Sequence, residues 1–216
     1  MKKPPTFFKE ASTIQQFLYL CCKNGSLIDK GGIKVSVKKE DPRAIRSKRL
    51  LKEAVQSLLI ETQNLQELTV QKVTAKAELN RATFYLHYLD MQDLLKHIVH
   101  DIFDDLSKKL SPLLDLEPVD LDEQMLTILD YFYQNRKYLS VLFEEKAFQK
   151  KLHNFIVEFV QARRDLKKIV AEDAVSKDII ASSILGILMW WIRDGKHYSS
   201  EYIAQQMSVW MTRRRQ

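Results

Sequence analysis

The 216-residue chain is poor in helix breakers, with five glycines and five prolines. Three of the prolines, Pro4, Pro5 and Pro42, precede the first long periodic segment, so the remainder is free to run as helices and an all-α fold is expected. Cysteine is nearly absent. Cys21 and Cys22 are adjacent, neighbours in sequence rarely bridge each other, and no third cysteine exists. That excludes a disulfide framework and a cysteine zinc site, and fits a reducing cytoplasm. Long apolar runs are also missing: residues 179–192 form one of the longest and are too short to span a bilayer. No small-residue cleavage site follows the apolar patch in residues 12–22, which argues against a secretory leader. There is no Gly-rich phosphate loop, H-E-x-x-H, nucleophile elbow or paired-cysteine site, so neither enzymatic activity nor a cofactor is expected.

What is present is a modest excess of positive charge, +6 in total. It is concentrated in residues 34–52, where eight basic residues face two acidic ones. Such a stretch favours a polyanion through phosphate contacts and counterion release, although a solvated tail and helix face would have the same composition.

Residues 1–42 differ from the rest, with Pro4-Pro5, Gly25, Gly31-Gly32 and one short apolar patch. An N-terminal extension with little fixed structure is expected here. The run Lys30-Gly31-Gly32-Ile33-Lys34-Val35 is what a purine-rich ribosome-binding sequence gives when translated in frame. On that reading Val35 is a GTG start, and residues 1–34 fall outside the natural protein.

From Asp41-Pro42 the pattern turns helical: an N-cap, then proline at the first position. Ile45, Leu50, Leu51, Ala54, Val55, Leu58 and Leu59 recur at helical spacing as far as about Thr62. Thr69 caps a short helix over residues 70–77. Glu78-Leu79-Asn80 breaks the chain, and Asn80 caps a second short helix over 81–88. Asp90 opens a long helix over 91–110, which Pro112 stops. Further helices are expected over 121–135, 136–143, 145–172, 176–195 and 200–213, with Gly195 as a C-cap.

Two short helices joined by a tight turn between longer ones make a helix-turn-helix layout. In the second, Arg81, Thr83, Tyr85 and His87 supply compact polar groups that reach base edges and phosphates, and Ala82 permits close approach. Phe84 and Tyr88, one turn apart, face the core as anchors. Thr69 and Lys72 on the first short helix, with Lys76 beside them, and Arg43, Arg46 and Arg49 on the preceding long helix, are candidates for phosphate contacts. A bland alternative, a helical core whose polar faces are merely solvated, fits the same spacing.

The stretch from Leu68-Thr69-Val70 through Ala77-Glu78-Leu79-Asn80 to Arg81-Ala82-Thr83-Phe84-Tyr85-Leu86-His87-Tyr88 resembles the DNA-binding segment of the tetracycline-repressor (TetR/AcrR) family. Asp90-Met91-Gln92-Asp93-Leu94-Leu95 resembles that family's next helix start. The close match covers about a quarter of the chain. Two residues depart from the family pattern. Glu78 stands where glycine is usual: either the position takes a positive φ, which strains glutamate, or the turn is built differently. Met91 stands where a phosphate-binding lysine is common. The resemblance implies an N-terminal three-helix DNA-binding domain over 43–95 and a C-terminal helical dimerisation and ligand domain over 96–216. Its implied partners are a pseudo-palindromic double-stranded operator, a second copy of the chain and a small-molecule effector. The alternative is a scaffold of this type that acts through protein–protein contacts without reading an operator.

In the C-terminal half, residues 176–195 are apolar around much of the helix circumference, more than one buried face requires. Ile180, Ser183, Ile184, Ile187 and Trp191, with Ile203, Met207 and Trp210 of the last helix, are the expected dimer contacts. Ser182 and Gly186, four apart, would let helices approach closely. Phe103, Tyr131, Phe155 and Trp190 are the candidates for an effector pocket. His97, His100, Asp101 and Asp104 have metal-ligand spacing, but such clusters are more often solvated, and no metal is assigned.

Overall fold

The computed structural model describes residues 41–114, 121–169 and 174–212, with side chains left out at 121–124 and 210–212. The expected N-terminal extension therefore lies outside the described residues, apart from Asp41 and Pro42, which open the first helix. The described residues form nine α-helices and two 3-10 turns: α1 Pro42–Thr62, α2 Val70–Lys76, α3 Arg81–Tyr85, α4 Met91–Leu110, α5 Leu121–Gln134, α6 Arg136–Phe143, α7 Lys146–Lys167, α8 Lys177–Arg193 and α9 Ser200–Thr212.

Local chemistry places the first four helix starts. Asp41 accepts from the Arg43 N–H at 2.9 Å, with Pro42 in the first turn. Thr69 accepts from Lys72 N–H at 3.2 Å, Asn80 from Ala82 N–H at 2.9 Å and Asp90 from Asp93 N–H at 2.8 Å. Asp93 reaches back to accept from the Leu89 N–H at 3.0 Å, so two otherwise orphaned donors are satisfied across one turn.

Helix ends depart from the sequence reading in three places. α3 stops at Tyr85 rather than Tyr88, because His87 and Tyr88 both donate to the Phe84 carbonyl, at 2.9 Å each, and close a turn. α7 stops at Lys167 rather than near residue 172; Lys168 turns left-handed there (φ 52) and Ile169 N–H reaches back to the Arg164 carbonyl. Gly195 is not a left-handed cap. Asp194 ends α8, and the glycine serves packing instead: a Cβ there would come within 2.9 Å of the Trp190 ring.

Leu51, Val55, Leu59, Val73, Phe84 and Leu94 bury the face shared by α1–α4. α8 packs along α7, α9 packs along α5, and α6 lies between α1 and α8. Leu129, Leu139, Phe148, Leu152 and Trp191 fill the larger half, and the buried residues join into one cluster. Trp191 donates its indole N–H to the Tyr198 carbonyl at 2.9 Å and stacks on Tyr133 at 5.9 Å. Among the described residues no helix is long and apolar enough to cross a membrane.

Candidate nucleic-acid interface

α3 is only five residues long, so its stability comes from what it is pinned to rather than from propensity. Phe84 is fully buried and Tyr88 nearly so, their rings 5.7 Å apart. Burying a side chain of this size stabilises by about 1.5–3 kcal/mol. Tyr88 also meets His97 of α4 edge-on at 5.2 Å, tying the turn after α3 to the long helix. These anchors fix which side of α3 faces out. At about 100° per residue, Ala82 and Leu86 lie roughly 160° around the axis from Phe84, with Thr83 and Tyr85 on the flanks. Arg81, Ala82 and Tyr85 are exposed, and Thr83 and His87 are half-buried.

The turn into α3 is bought with backbone strain. Glu78 adopts φ 54, the left-handed region that the usual glycine would occupy without cost. Its N–H still donates to the Ala75 carbonyl at 3.2 Å, and Leu79 N–H donates to Thr74 at 2.9 Å.

Charge on this surface is unevenly available. Among the described residues, Arg43, Arg46 and Arg81 have no carboxylate partner. Lys72 is paired with Glu67 at 3.2 Å and Arg49 with Glu53 at 2.9 Å. Lys76, expected beside the DNA backbone, turns back to Glu61 of α1 at 2.7 Å. That contact, helped by Ser57, holds the Glu61 carboxyl below its ordinary range. An open groove of about 690 Å³ runs between α1 and the α2–α3 turn, with Arg43, Arg46, Glu53, Lys76 and Glu78 on its walls. Thr69 is exposed, but its hydroxyl is engaged in capping its own helix. The sequence reading missed Leu86, 80 % exposed, and Leu89, 83 % exposed, the two barest large apolar side chains described. The signal was there: Leu86 is half a turn from the anchor Phe84.

In the C-terminal half, Phe103 and Phe155 are buried and touch edge to face at 5.3 Å, with Phe148 5.7 Å from Phe103. The half-buried Lys151 ammonium lies 4.9 Å from the Phe103 ring centre, and burial lowers its pKa. Tyr131 is half-buried, and its hydroxyl is pushed up first by burial and then by Tyr138. Ser107 Oγ is buried with no hydrogen-bond partner. Trp190 corrects the sequence reading: it is 44 % exposed and lies against Tyr198 on the surface, so it lines no interior pocket. Trp191, Ile203 and Met207 are corrected likewise. Each is at most 4 % exposed and is consumed by the core of its own chain, leaving no surface for a partner. Ile180, Ser183, Ile184 and Ile187 are half-buried, and the Trp210 side chain lies outside the described residues. Among the described residues of this half, the exposed large apolar side chains are Ile169, Ile179, Trp190, Tyr202 and Val209. Of the four residues with metal-ligand spacing, Asp101 pairs with Lys52 and Asp104 with Lys108, while His97 bonds the Asp93 carbonyl. Among the described residues no three or more His, Cys, Asp or Glu are arranged to hold a metal ion.

Residues 119–213 match a TetR-type family model described as "Transcriptional regulator C-terminal region". The chain is 26% identical over 180 residues to an uncharacterized HTH-type transcriptional regulator, YxbF, of Bacillus subtilis; the match covers 78% of this chain and 45% of that protein, so the chain spans less than half of its relative's length. Among solved structures it is similar to a TetR transcriptional regulator from Streptococcus agalactiae, with 25% identity, a TM-score of 0.59, and 78% of this chain and 94% of that one covered. It also shares the fold of SmeT, the repressor of a multidrug efflux pump of Stenotrophomonas maltophilia, with 16% identity, a TM-score of 0.58, and 76% and 89% covered.

Proposed function

We propose that the chain is a transcriptional regulator of the TetR/AcrR type, a homodimeric repressor that grips a pseudo-palindromic operator with two copies of α3. The observation that carries this reading is the pinned, outward-facing α3, with Phe84 and Tyr88 inside and Arg81, Ala82 and Tyr85 exposed. Arg81 is suited to grip guanine O6 and N7 with two hydrogen bonds. Thr83, Tyr85 and His87 are in place for nearby phosphates and sugars, and Arg43 and Arg46 for phosphates on the far edge of the groove. Thr69 and Lys72 add backbone contacts once Lys72 leaves Glu67, an exposed pair that costs little to break.

A dimer sets two copies of α3 in successive major grooves about 34–36 Å apart. Its interface is built from the surface that α8 and α9 leave uncovered: Ile179, Ile187, Trp190, Tyr202 and Val209, with Gly186 open between them. The effector enters beside Phe103, Tyr131 and Phe155. Its signal reaches the DNA-binding end through α6, where the Ser140 hydroxyl donates to Gln63 at the end of α1 at 3.4 Å, and through the Lys52–Asp101 pair between α1 and α4. An effector that prefers a different separation of the two heads shifts the population off DNA. Such a protein works in the cytoplasm.

The test is fluorescence anisotropy with the duplex flanking the protein's own gene, across a salt series. Binding is expected at low salt, weakened in Arg81→Ala and Tyr85→Ala. The paired lysines and the bare leucines favour a second reading, a scaffold that binds another protein. Absence of duplex binding even at low salt selects that reading instead.

A further inference from the structure

The centreline of the DNA-facing side of α3 carries no hydrogen-bonding group. Ala82 and Leu86, one turn apart, lie farthest from the buried anchor, and Leu86 is 80 % exposed. A large apolar side chain held this far into solvent on a polar surface costs free energy unless something covers it. Its surroundings identify the cover. Arg81, Thr83 and Tyr85 share the short helix, and among the described residues Arg43, Arg46 and Arg81 have no carboxylate partner, so the patch sits within a surface that suits a polyanion. α3 contains no Asn or Gln to pair with adenine and no acid to accept from cytosine. Arg81 is the residue of α3 suited to bidentate base readout, and Thr83 and Tyr85 lie on its flanks rather than on the centreline. Within the major groove, the apolar group a leucine can cover is the thymine C5-methyl.

We propose that Leu86, with Ala82 beside it, reads thymine methyl groups, so that each operator half-site combines a guanine beneath Arg81 with thymine beneath Leu86. This rests on the operator reading given above. Ala82 is small enough to let the helix sink into the groove, and Leu86 then meets the methyl without any polar partner being stranded. Discrimination at that base pair comes from buried apolar area rather than hydrogen bonds.

The experiment uses the full chain. Duplexes are selected from a random pool, and the tightest is remade with deoxyuridine replacing thymidine one position at a time, which removes the methyl and leaves every hydrogen-bonding group. Wild type is expected to lose about fourfold in affinity per methyl at one or two positions in each half-site. Leu86→Ala is expected to bind more weakly and to treat thymidine and deoxyuridine alike at one of those positions, whereas Leu86→Met retains the preference. The residue is so exposed that both variants fold, which helical circular dichroism checks. Wild type indifferent to deoxyuridine throughout, or Leu86→Ala with its preference intact, overturns the inference and leaves the operator reading standing. Failure to select any duplex removes both.

Discussion

Replacing Gly186 by alanine separates what α8 does within one chain from what it does between two. Gly186 lies inside α8, and a Cβ added there meets nothing within 4 Å. In the single chain the substitution therefore brings only the helix-propensity gain, about 0.8–1.0 kcal/mol. In a dimer whose α8 helices cross near Ser182 and Gly186 the same methyl enters the crossing, twice by symmetry. Overpacking of a close contact costs about 1–3 kcal/mol. The helix gain is present in monomer and dimer alike and drops out of the dissociation constant, whereas two clashes should raise that constant about thirtyfold or more. Sedimentation equilibrium measures that constant, and urea unfolding at two protein concentrations measures the chain term separately. The expected pattern is opposite signs: a stabler chain and a weaker dimer. A stabler chain with an unchanged dimer constant would refute the crossing at Gly186.

Three further substitutions probe the rest. Glu78→Gly relieves a left-handed backbone that costs an ordinary residue about 1–2 kcal/mol, offset by about 0.4–1 kcal/mol of added unfolded-state freedom; a net gain of a few tenths to about 1 kcal/mol in urea unfolding is expected, and a loss would mean the Glu78 side chain itself supports the turn. Lys72→Ala removes one phosphate contact per protomer, so the slope of log affinity against log salt should become shallower by about 2; an unchanged slope would show that Lys72 stays away from phosphate. Burial lowers the pKa of Lys151, so between its folded value and its ordinary unfolded value the unfolded chain binds more protons and stability rises with pH. Lys151→Met should remove that alkaline rise and stabilise the chain at neutral pH; unfolding curves at neutral and alkaline pH that keep the wild-type difference would contradict it.

The parts of this fold that were legible in the sequence are those decided over three or four residues. Asp41, Thr69, Asn80 and Asp90 each accept a hydrogen bond from an N–H two or three residues on, so the residue type alone marks the start. The anchors Phe84 and Tyr88 follow from one-turn spacing. What depends on tertiary neighbours was not legible. Lys76 meets Glu61 across fifteen positions, and no local pattern announces that pairing. α8 is apolar around much of its girth, so periodicity cannot say that Trp191 faces in while Trp190 faces out; that is settled by Tyr133 stacking on one ring and Gly195 accommodating the other. Leu86 was passed over because an apolar residue beside a buried one reads as core until the helix axis is drawn.

The central claim is that α3 is the reading head of a symmetric dimer. Hydroxyl-radical footprinting on the selected duplex tests it most directly. Two protected half-sites related by a dyad and spaced one helical turn, about 10–10.5 base pairs, or a multiple of it, are the predicted result. Protection that is lost in Arg81→Ala would tie the pattern to α3. A single undivided footprint, or one that Arg81→Ala leaves untouched, would contradict the account.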